Sequence, residues 1–227
     1  MRAGEREPVI TIDGPAGAGK TTAARALAER LGYRLVDTGA MYRALAWSVV
    51  QAKDLSAEDT PKLRRHLESV EIEVRDGRVH VNGRDVTEEI RTRAIDRMTS
   101  DLTTLEPVRA KITPIQRRLA AAGGVILEGR DTGTVVCPDA DVKFYLDADL
   151  EERARRRQAD FRARGVNVEL AVARGEIGAR DLQDRTRAIA PLRKAEGAKE
   201  IDTTNRTVDD VVDEMVRFIE QRCCTRS

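Results

Sequence analysis

The chain has 227 residues, with 40 Lys and Arg against 39 Asp and Glu, so its formal net charge is only +1. This balance argues against a dedicated nucleic-acid packaging protein or an acidic tail protein, because the charge of both leans strongly to one sign. With 41% hydrophobic residues the chain can bury a core, and its length fits one compact domain with insertions or two small domains.

No segment of the sequence approaches the ~20 apolar residues that a membrane-spanning helix needs. The segment from Met1 to Pro8 is charged and lacks the apolar core of a signal peptide. We therefore expect a cytoplasmic protein that binds neither membrane nor nucleic acid. Cys137 and the adjacent pair Cys223 and Cys224 fit neither a metal-ligand spacing nor an even disulfide framework, so we expect them to be reduced.

The chain opens with the pattern of a strand, a glycine loop and a helix. A β-branched run from Pro8 to Ile12 predicts the strand, the glycines between residues 14 and 19 interrupt it, and an Ala- and Leu-rich helix follows from Lys20 to Leu31. A second strand over residues 33–37 and a helix over about 39–52 come next. This order is the start of a βαβ unit and predicts a parallel sheet.

The hydrophobic period changes in the middle of the chain. Between about residues 69 and 87, apolar and polar residues alternate, and the turn dipeptides Asp76-Gly77 and Asn82-Gly83 interrupt them. This pattern predicts a small antiparallel meander inserted into the α/β pattern. Helical segments follow over about 88–104 and 107–122, and we expect Pro114 to kink or split the second.

The last third of the chain returns to the α/β pattern. Two apolar runs, residues 125–128 and 142–146, have the character of buried parallel strands. An arginine-rich helical region covers about 150–193 with a break at Gly165, before a strand near 199–202 and a helix over 208–221 that Thr207 caps. The predicted fold is therefore α/β: a parallel sheet flanked by helices, with a small antiparallel β insert and a helical arginine-rich segment.

A phosphate-binding loop is the most specific local motif. Residues 14–21 read Gly-Pro-Ala-Gly-Ala-Gly-Lys-Thr and fit G-x-x-x-x-G-K-[ST] between a predicted strand and a predicted helix, as a P-loop NTPase fold requires. The glycines let backbone N–H groups face phosphate oxygens, and the helix directs its positive N-terminal end at the same anion. Lys20 is placed to reach the β- and γ-phosphates, and the Thr21 hydroxyl to ligate magnesium. The residues expected to contact the triphosphate are Gly14, Pro15, Ala16, Gly17, Ala18, Gly19, Lys20, Thr21 and Thr22.

The motifs that the sequence lacks argue against several classes of triphosphate-binding protein. The sequence contains no Asn-Lys-x-Asp motif for reading guanine and no Leu-Ser-Gly-Gly transporter signature, and it is short for a motor protein. A phosphoryl-transfer enzyme with a small acceptor fits the size best.

Two further segments follow predicted strands at the carboxyl edge of the sheet, where open α/β sheets bind ligands. They are Asp37–Arg43 and Glu128–Thr134. With these residues the sequence closely resembles the bacterial cytidylate kinases, a branch of the nucleoside monophosphate kinases. The resemblance runs in matching order from about Val9 to Phe218, and its other matching segments are Ile10–Pro15, Glu151–Arg153 with Arg156-Arg157, and Asp184–Leu192.

The resemblance implies transfer of a phosphoryl group from ATP to CMP or dCMP, with Mg²⁺ as cofactor, and we expect a monomer. It implies a core of residues 1–68, 88–157 and 184–227, a CMP-binding insert of residues 69–87 with adjoining helices to about 104, and a mobile lid of residues 158–183. The residues that it assigns to the CMP phosphate are Thr38, Arg43, Arg130 and Arg187. Those assigned to the cytosine are Ser100, Arg109 and Asp131, and those assigned to the ribose are Arg180 and Asp184.

The chemistry needs no catalytic base, because the acceptor phosphate oxygen is already ionised. The protein must instead hold two anions in line, which cations can do. Arg153 and Arg157 lie one helical turn apart, and with Arg156, assigned to ATP, we place them beside the transferring phosphates. The expected catalytic residues are Lys20, Arg130, Arg153, Arg157 and Arg187. Asp13 and Glu128 are expected to orient magnesium through water.

The sequence is also compatible with other roles for these residues. Arg153 to Arg157 could form a solvated helix face, Asp37 could cap the following helix, and Ser100 could be a polar surface residue. We expect Leu45, Trp47 and Val49 in the core rather than in the site. Two other functions are also open: a kinase of another small acceptor such as UMP, and a nucleotide-switched RNA-associated binding protein.

Overall fold

The structure is a computed structural model that describes residues 6–75 and 77–224. Asp76 of one predicted turn, the first five residues of the charged N-terminal segment and the side chains of Cys223 and Cys224 lie outside the described residues. The chain divides into two compact units. The first comprises residues 1–35 and 122–227, and the second comprises residues 36–121.

The elements alternate in type along the chain. The strands are β1 Val9–Asp13, β2 Arg34–Asp37, β3 Ile72–Arg75, β4 Arg78–Val81, β5 Arg84–Asp85, β6 Val125–Glu128, β7 Val142–Asp147 and β8 Lys199–Asp202. The helices are α1 Lys20–Leu31, α2 Thr38–Gln51, α3 Pro61–Ser69, α4 Arg93–Leu102, α5 Glu106–Ala120, α6 Leu150–Ala163, α7 Leu170–Thr186 and α8 Val208–Cys224, with a short π-helical turn at Thr132–Val136.

A five-stranded parallel sheet, in the order β2-β6-β1-β7-β8, organises the first unit, whose part of β2 ends at residue 35. The central strand β1 pairs in parallel with β6 and β7, so that Ile10 lies opposite both Ile126 and Val142. All five residues of β1 are buried. The apolar core of the sheet is completed by residues of α1 and α8, among them Leu27 and Met215. Such uninterrupted burial explains why these strands read as solid apolar runs.

The second unit contains the antiparallel sheet β3-β4-β5. Ile72 lies opposite Val81, and Asn82 and Gly83 both adopt positive φ (49° and 79°) at the turn into β5, as a type I′ hairpin requires. The long helix α2 is buried over most of its length. Leu45, Trp47 and Val49 lie in its buried part, as expected.

Three helices of the second unit differ from the sequence expectation. Helix α3 was not predicted, although Thr60 caps it by accepting a hydrogen bond from Leu63 N at 3.1 Å. Helix α4 begins at Arg93, not near residue 88, because Thr92 supplies its N-cap. Of the two effects expected of Pro114, a kink or a split of the helix, the split is wrong, since α5 runs from Glu106 to Ala120 without interruption.

The arginine-rich region forms two helices, α6 and α7. Gly165, at φ 74°, lies between them, and Phe161, Val168 and Ala173 form a small buried cluster of their own. Residues 187–193 are not helical, contrary to the expectation that the helical region extends to 193. The predicted α/β class, with its parallel sheet and small antiparallel sheet, is confirmed. Across the described ranges, every helix is too short or too polar to cross a membrane.

Candidate active site

The phosphate loop occupies the turn between β1 and α1. Gly14 opens it at φ 148°, and a Cβ added there would lie 1.9 Å from the backbone oxygen of Leu146. Gly19 ends the loop in the left-handed conformation, at φ 78°, directly before the first helical residue. Only glycine fits the first position, and the tight turn leaves the N-terminal end of α1 beside the loop.

Lys20 is buried at the start of α1 and folds back onto the loop. Its Nζ donates a hydrogen bond to the backbone oxygen of Pro15 at 2.6 Å. Burial, reinforced by the positive charges of Arg130 and Arg180, lowers the pKa of Lys20 to about 7, against the opposing effect of Glu128 and Asp13. A phosphate anion at the loop would reverse that effect, because an opposite charge favours the protonated amine.

Oxygen atoms suited to magnesium lie beside the loop. Thr21 Oγ1 donates a hydrogen bond to Glu128 Oε1 at 3.0 Å, which brings a hydroxyl and a carboxylate together. The Asp13 carboxylate instead accepts three hydrogen bonds from the π-helical turn that follows β6. The donors, at 2.7–2.9 Å, are Thr132 N, Thr132 Oγ1 and Gly133 N. Burial raises the pKa of Asp13 in spite of these bonds. Within the described residues, no three His, Cys, Asp or Glu side chains group as a metal site on their own.

A chain of alternating charges joins two predicted arginines to two predicted aspartates. Arg130 Nε donates to Asp184 Oδ2 at 3.0 Å, Arg187 Nη1 approaches Asp184 Oδ1 at 3.3 Å, and Arg187 Nη2 approaches Asp131 Oδ1 at 3.2 Å. Burial opposes the charged form of Asp184, but Arg130, Arg180 and Arg187 outweigh it and lower the pKa of this carboxyl. The network therefore holds both guanidiniums in fixed positions while they remain charged.

The arginines of α6 have three different environments. Arg153 is buried and forms an ion pair with Asp181 of α7. Arg156 Nη2 donates to the backbone oxygen of Thr203 at 2.7 Å. The Arg157 guanidinium lies 4.4 Å from the ring centre of Phe161. This helix face is therefore not uniformly solvated.

In the second unit, Asp37 and Arg43 form a pair at the start of α2. Asp37 Oδ1 accepts a hydrogen bond from Ala40 N at 2.8 Å and caps the helix, while Asp37 Oδ2 accepts one from Arg43 Nη2 at 2.8 Å. Thr38 is buried beside this pair. Asp37 thus caps the helix, as one reading of the sequence held, and also orients a predicted phosphate ligand.

Arg109 and Ser100 lie on the two following helices of that unit. Arg109 is buried, donates from Nε to the backbone oxygen of Thr103 at 2.8 Å, and lies 5.6 Å from the ring centre of Tyr42. Ser100 is half-buried on α4, and its backbone oxygen accepts a hydrogen bond from Thr103 Oγ1. Both residues are therefore tied to the same α4–α5 corner through Thr103.

The structure brings together most first-unit residues of the predicted site and adds two that the sequence did not single out. Thr22 is exposed and Arg180 is half-buried. The added residues are Asp181, which contacts the phosphate loop, and Thr203, which accepts from Arg156. The only sequence signal for Asp181 is its position three residues before Asp184, on the same face of a helix.

Two comparisons of the sequence with known proteins give the same family, and a comparison with solved structures gives the fold. The sequence profile described as cytidylate kinase matches residues 10–221. The cytidylate kinase of Geobacter sp. (strain M21) is 45% identical over 222 residues, which cover 96% of this chain and 95% of that protein. The cytidylate kinase of Pseudothermotoga lettingae is 41% identical over 222 residues, covering 95% and 98%. A solved structure of an uncharacterized protein from Eubacterium ventriosum shares the fold, with a TM-score of 0.53 and 14% identity over 94% of this chain and 99% of that one.

Proposed function

Because the chain belongs to the cytidylate kinase family, we propose that it transfers the γ-phosphoryl group of ATP to CMP or dCMP, giving ADP and CDP or dCDP. The observation that carries this proposal is the family match over residues 10–221, which includes the complete phosphate loop. In the reaction, an acceptor phosphate oxygen forms a bond to the γ-phosphorus as the bond to the β,γ-bridging oxygen breaks. The acceptor oxygen is already ionised, so the protein supplies alignment and charge neutralisation.

We propose that the phosphate loop, Lys20 and Arg156 bind ATP, and that Arg153 and Arg157 contact the transferring phosphoryl group. The bond between Lys20 Nζ and the Pro15 oxygen supports this, because it holds the amine at the loop in readiness for a phosphate. A planar guanidinium offers five N–H donors, so Arg153 can keep its protein partners and still meet a phosphate oxygen.

We propose that CMP is recognised by the residues to which the family resemblance gives that role. The phosphate ligands would be Thr38, Arg43, Arg130 and Arg187, the cytosine ligands Ser100, Arg109 and Asp131, and the ribose ligands Arg180 and Asp184. A carboxylate suits the exocyclic amine of cytosine, whereas the carbonyl of uracil would face it without a hydrogen bond. Leaving a buried polar group unpaired is costly, which would favour CMP over UMP.

We propose Mg²⁺ as the cofactor, held by Thr21 directly and by Glu128 through water. The pairing of the Thr21 hydroxyl with the Glu128 carboxylate supports this assignment, since hard cations prefer oxygen ligands. Asp13 is the weaker of the two predicted acids, because Thr132 and Gly133 already engage its carboxylate. When bound, magnesium neutralises charge on the β- and γ-phosphates.

We also propose a monomeric cytoplasmic enzyme with a core of residues 1–68, 88–157 and 184–227, a CMP-binding insert of residues 69–87 with helices to about 104, and a lid of residues 158–183. The buried cluster of Phe161, Val168 and Ala173 supports a lid that keeps its own structure as it moves. Closure of such a lid would shield the transfer from water.

An acceptor panel tests the proposed function. Formation of ADP is measured with CMP, dCMP, UMP and AMP, with and without Mg²⁺, and Lys20→Met serves as the donor-site control. We expect CMP and dCMP to be turned over far faster than UMP and AMP. Preferred turnover of UMP would support a kinase of another acceptor, and RNA-stimulated ATP turnover without any response to CMP would support an RNA-associated switch. Either result would overturn the proposal.

A further inference from the structure

Asp181 joins three parts of the first unit that are far apart in sequence. It lies on α7 with only 7% of its surface exposed. Its Oδ1 accepts a hydrogen bond from the backbone N of Ala16, in the phosphate loop, at 3.2 Å. Its Oδ2 pairs with Nη1 of Arg153, in the first turn of α6. One buried carboxylate therefore ties the phosphate loop, α6 and α7 together.

Arg153 is held on several sides at this junction. Its Nε donates to the backbone oxygen of Ala148 at 2.8 Å, and its Nη1 donates to the oxygen of Ala16 at 3.1 Å. The loop packs directly on it, because a Cβ at Gly17 would lie 3.0 Å from both Arg153 Cβ and the Arg153 backbone oxygen. Asp147, a second acid near this guanidinium, is 3.9 Å from Arg153 Nε and is more exposed than Asp181. Asp181 is thus the main counter-charge of this buried guanidinium.

A carboxylate beside a triphosphate site needs a physical reason, because two anions repel each other. Removing the partner of a buried charge is strongly unfavourable, and the guanidinium would then turn towards another acceptor or towards solvent. Arg153 also needs a fixed direction if it is to neutralise a phosphoryl group during transfer, since small misplacements of such groups slow catalysis. Both needs are met by an acid that bonds the loop and the guanidinium at once.

We propose that Asp181 is a positioning residue for phosphoryl transfer, which holds Arg153 against the phosphate loop and ties α7 to that loop. This inference rests on the proposed function, because it gives Arg153 a role at the transferring group. Asp181 itself acts through Arg153 and the Ala16 amide and has no contact of its own with the reacting atoms. The proposal therefore predicts an effect on turnover that depends on the presence of Arg153.

A double-mutant cycle tests the dependence on Arg153. The variants are Asp181→Asn, Arg153→Ala and the double variant, and Asp160→Asn is the matched control, since it removes one exposed acid of α6. We expect Asp181→Asn to lower kcat by at least about tenfold with KM for CMP changed less than about twofold, and Asp160→Asn to change neither. In the Arg153→Ala background, adding Asp181→Asn should lower kcat by less than about twofold. Thermal melting of each variant separates loss of fold from loss of alignment.

Amide hydrogen exchange of the nucleotide-free protein tests whether Asp181 holds α7 to the phosphate loop, and it does not rely on turnover. We expect Asp181→Ala to speed exchange in peptides covering residues 13–21 and 170–186, with no such change in Asp160→Asn. Unchanged exchange in the loop or an unchanged kcat would each overturn the inference. So would a double variant whose loss of kcat equals the product of the losses of Asp181→Asn and Arg153→Ala. Tighter ATP binding with undiminished kcat would also overturn it, because Asp181 would then be a competitor of the triphosphate. Turnover of CMP by the unmodified protein tests the proposed function separately, so the two can fail independently.

Discussion

The low pKa of Lys20 predicts that ATP binding is coupled to proton uptake. The amine has a pKa of about 7 in the nucleotide-free protein, with burial as the main cause. A bound triphosphate restores its charge, so that the pKa in the complex should lie near or above the usual value of Lys, about 10.4. If only the charged amine binds well, the apparent Kd for MgATP rises with pH above 7. The rise is about fivefold from pH 7 to 8 and about fiftyfold from pH 7 to 9, and proton uptake at pH 8 is about 0.9 per ATP.

Titration calorimetry measures both quantities. Binding of ATP in excess Mg²⁺ is followed at pH 7, 8 and 9, and each titration is repeated in two buffers with different ionisation enthalpies. The difference in apparent binding enthalpy between buffers gives the number of protons taken up. Lys20→Arg is the control, because a guanidinium stays charged throughout this range. Its affinity for ATP is expected to be lower, but its Kd should no longer depend on pH.

Two results would refute this reasoning. A pH-independent Kd without proton uptake would mean that Lys20 is already charged at pH 8, so that Glu128 and Asp13 outweigh burial. Equal proton uptake by Lys20→Arg would mean that a different group titrates on binding.

Three other substitutions test the site. Lys20→Met should stabilise the nucleotide-free protein against urea by a few kcal/mol below pH 7, since each tenfold change in the proton affinity of the amine corresponds to about 1.4 kcal/mol. Burying the charged amine destabilises the wild-type fold fully below pH 7, and this destabilisation disappears as pH rises from about 7 to 10.5. If Lys20→Met stabilised the protein equally at pH 10, the prediction would be wrong. Gly14→Ala should abolish ATP binding in calorimetry, because its Cβ would lie 1.9 Å from Leu146 O, whereas Gly175→Ala, with nothing within 4 Å, should bind ATP normally and melt at a slightly higher temperature. Asp131→Asn should reduce the ratio of kcat/KM for CMP to that for UMP by roughly tenfold or more, and an unchanged ratio would remove Asp131 from base recognition.

The sequence predicted best those elements whose signal is local. Residues 125–128 form a strand with the predicted bounds, because both faces of β6 are buried and every position is apolar except the last. The phosphate loop is recognised as easily, since Gly14, Gly17 and Gly19 all adopt positive φ within six residues. Thr207 and Asp210 bond each other reciprocally at the start of α8, as the capping pattern predicted.

The sequence failed where tertiary contacts decide the outcome. Helix α3 buries only Leu63 and Leu67, so its hydrophobic signal was too weak beside its charges. Pro114 removes one backbone donor from α5, yet the helix continues, and the buried side chains of Ile112 and Gln116 lie on either side of it in the chain. No local pattern indicates a role for Asp181, because its partner Ala16 is 165 residues away in the chain.

The near-zero net charge conceals a local excess of arginine, and aspartates pair with several arginines in the folded chain. Residues 153–193 contain eleven Arg and no Lys against five acids. In the structure, Arg130, Arg153 and Arg187 each bond to Asp131, Asp181 or Asp184, while burial lowers the pKa of Lys20. A lysine ammonium carries its charge and all its donors on one nitrogen, so pairing with a carboxylate leaves less of it for a phosphate. A guanidinium can bond a carboxylate on one edge and a phosphate on another. The acids therefore fix where each arginine points and leave each guanidinium donors that can meet a phosphate.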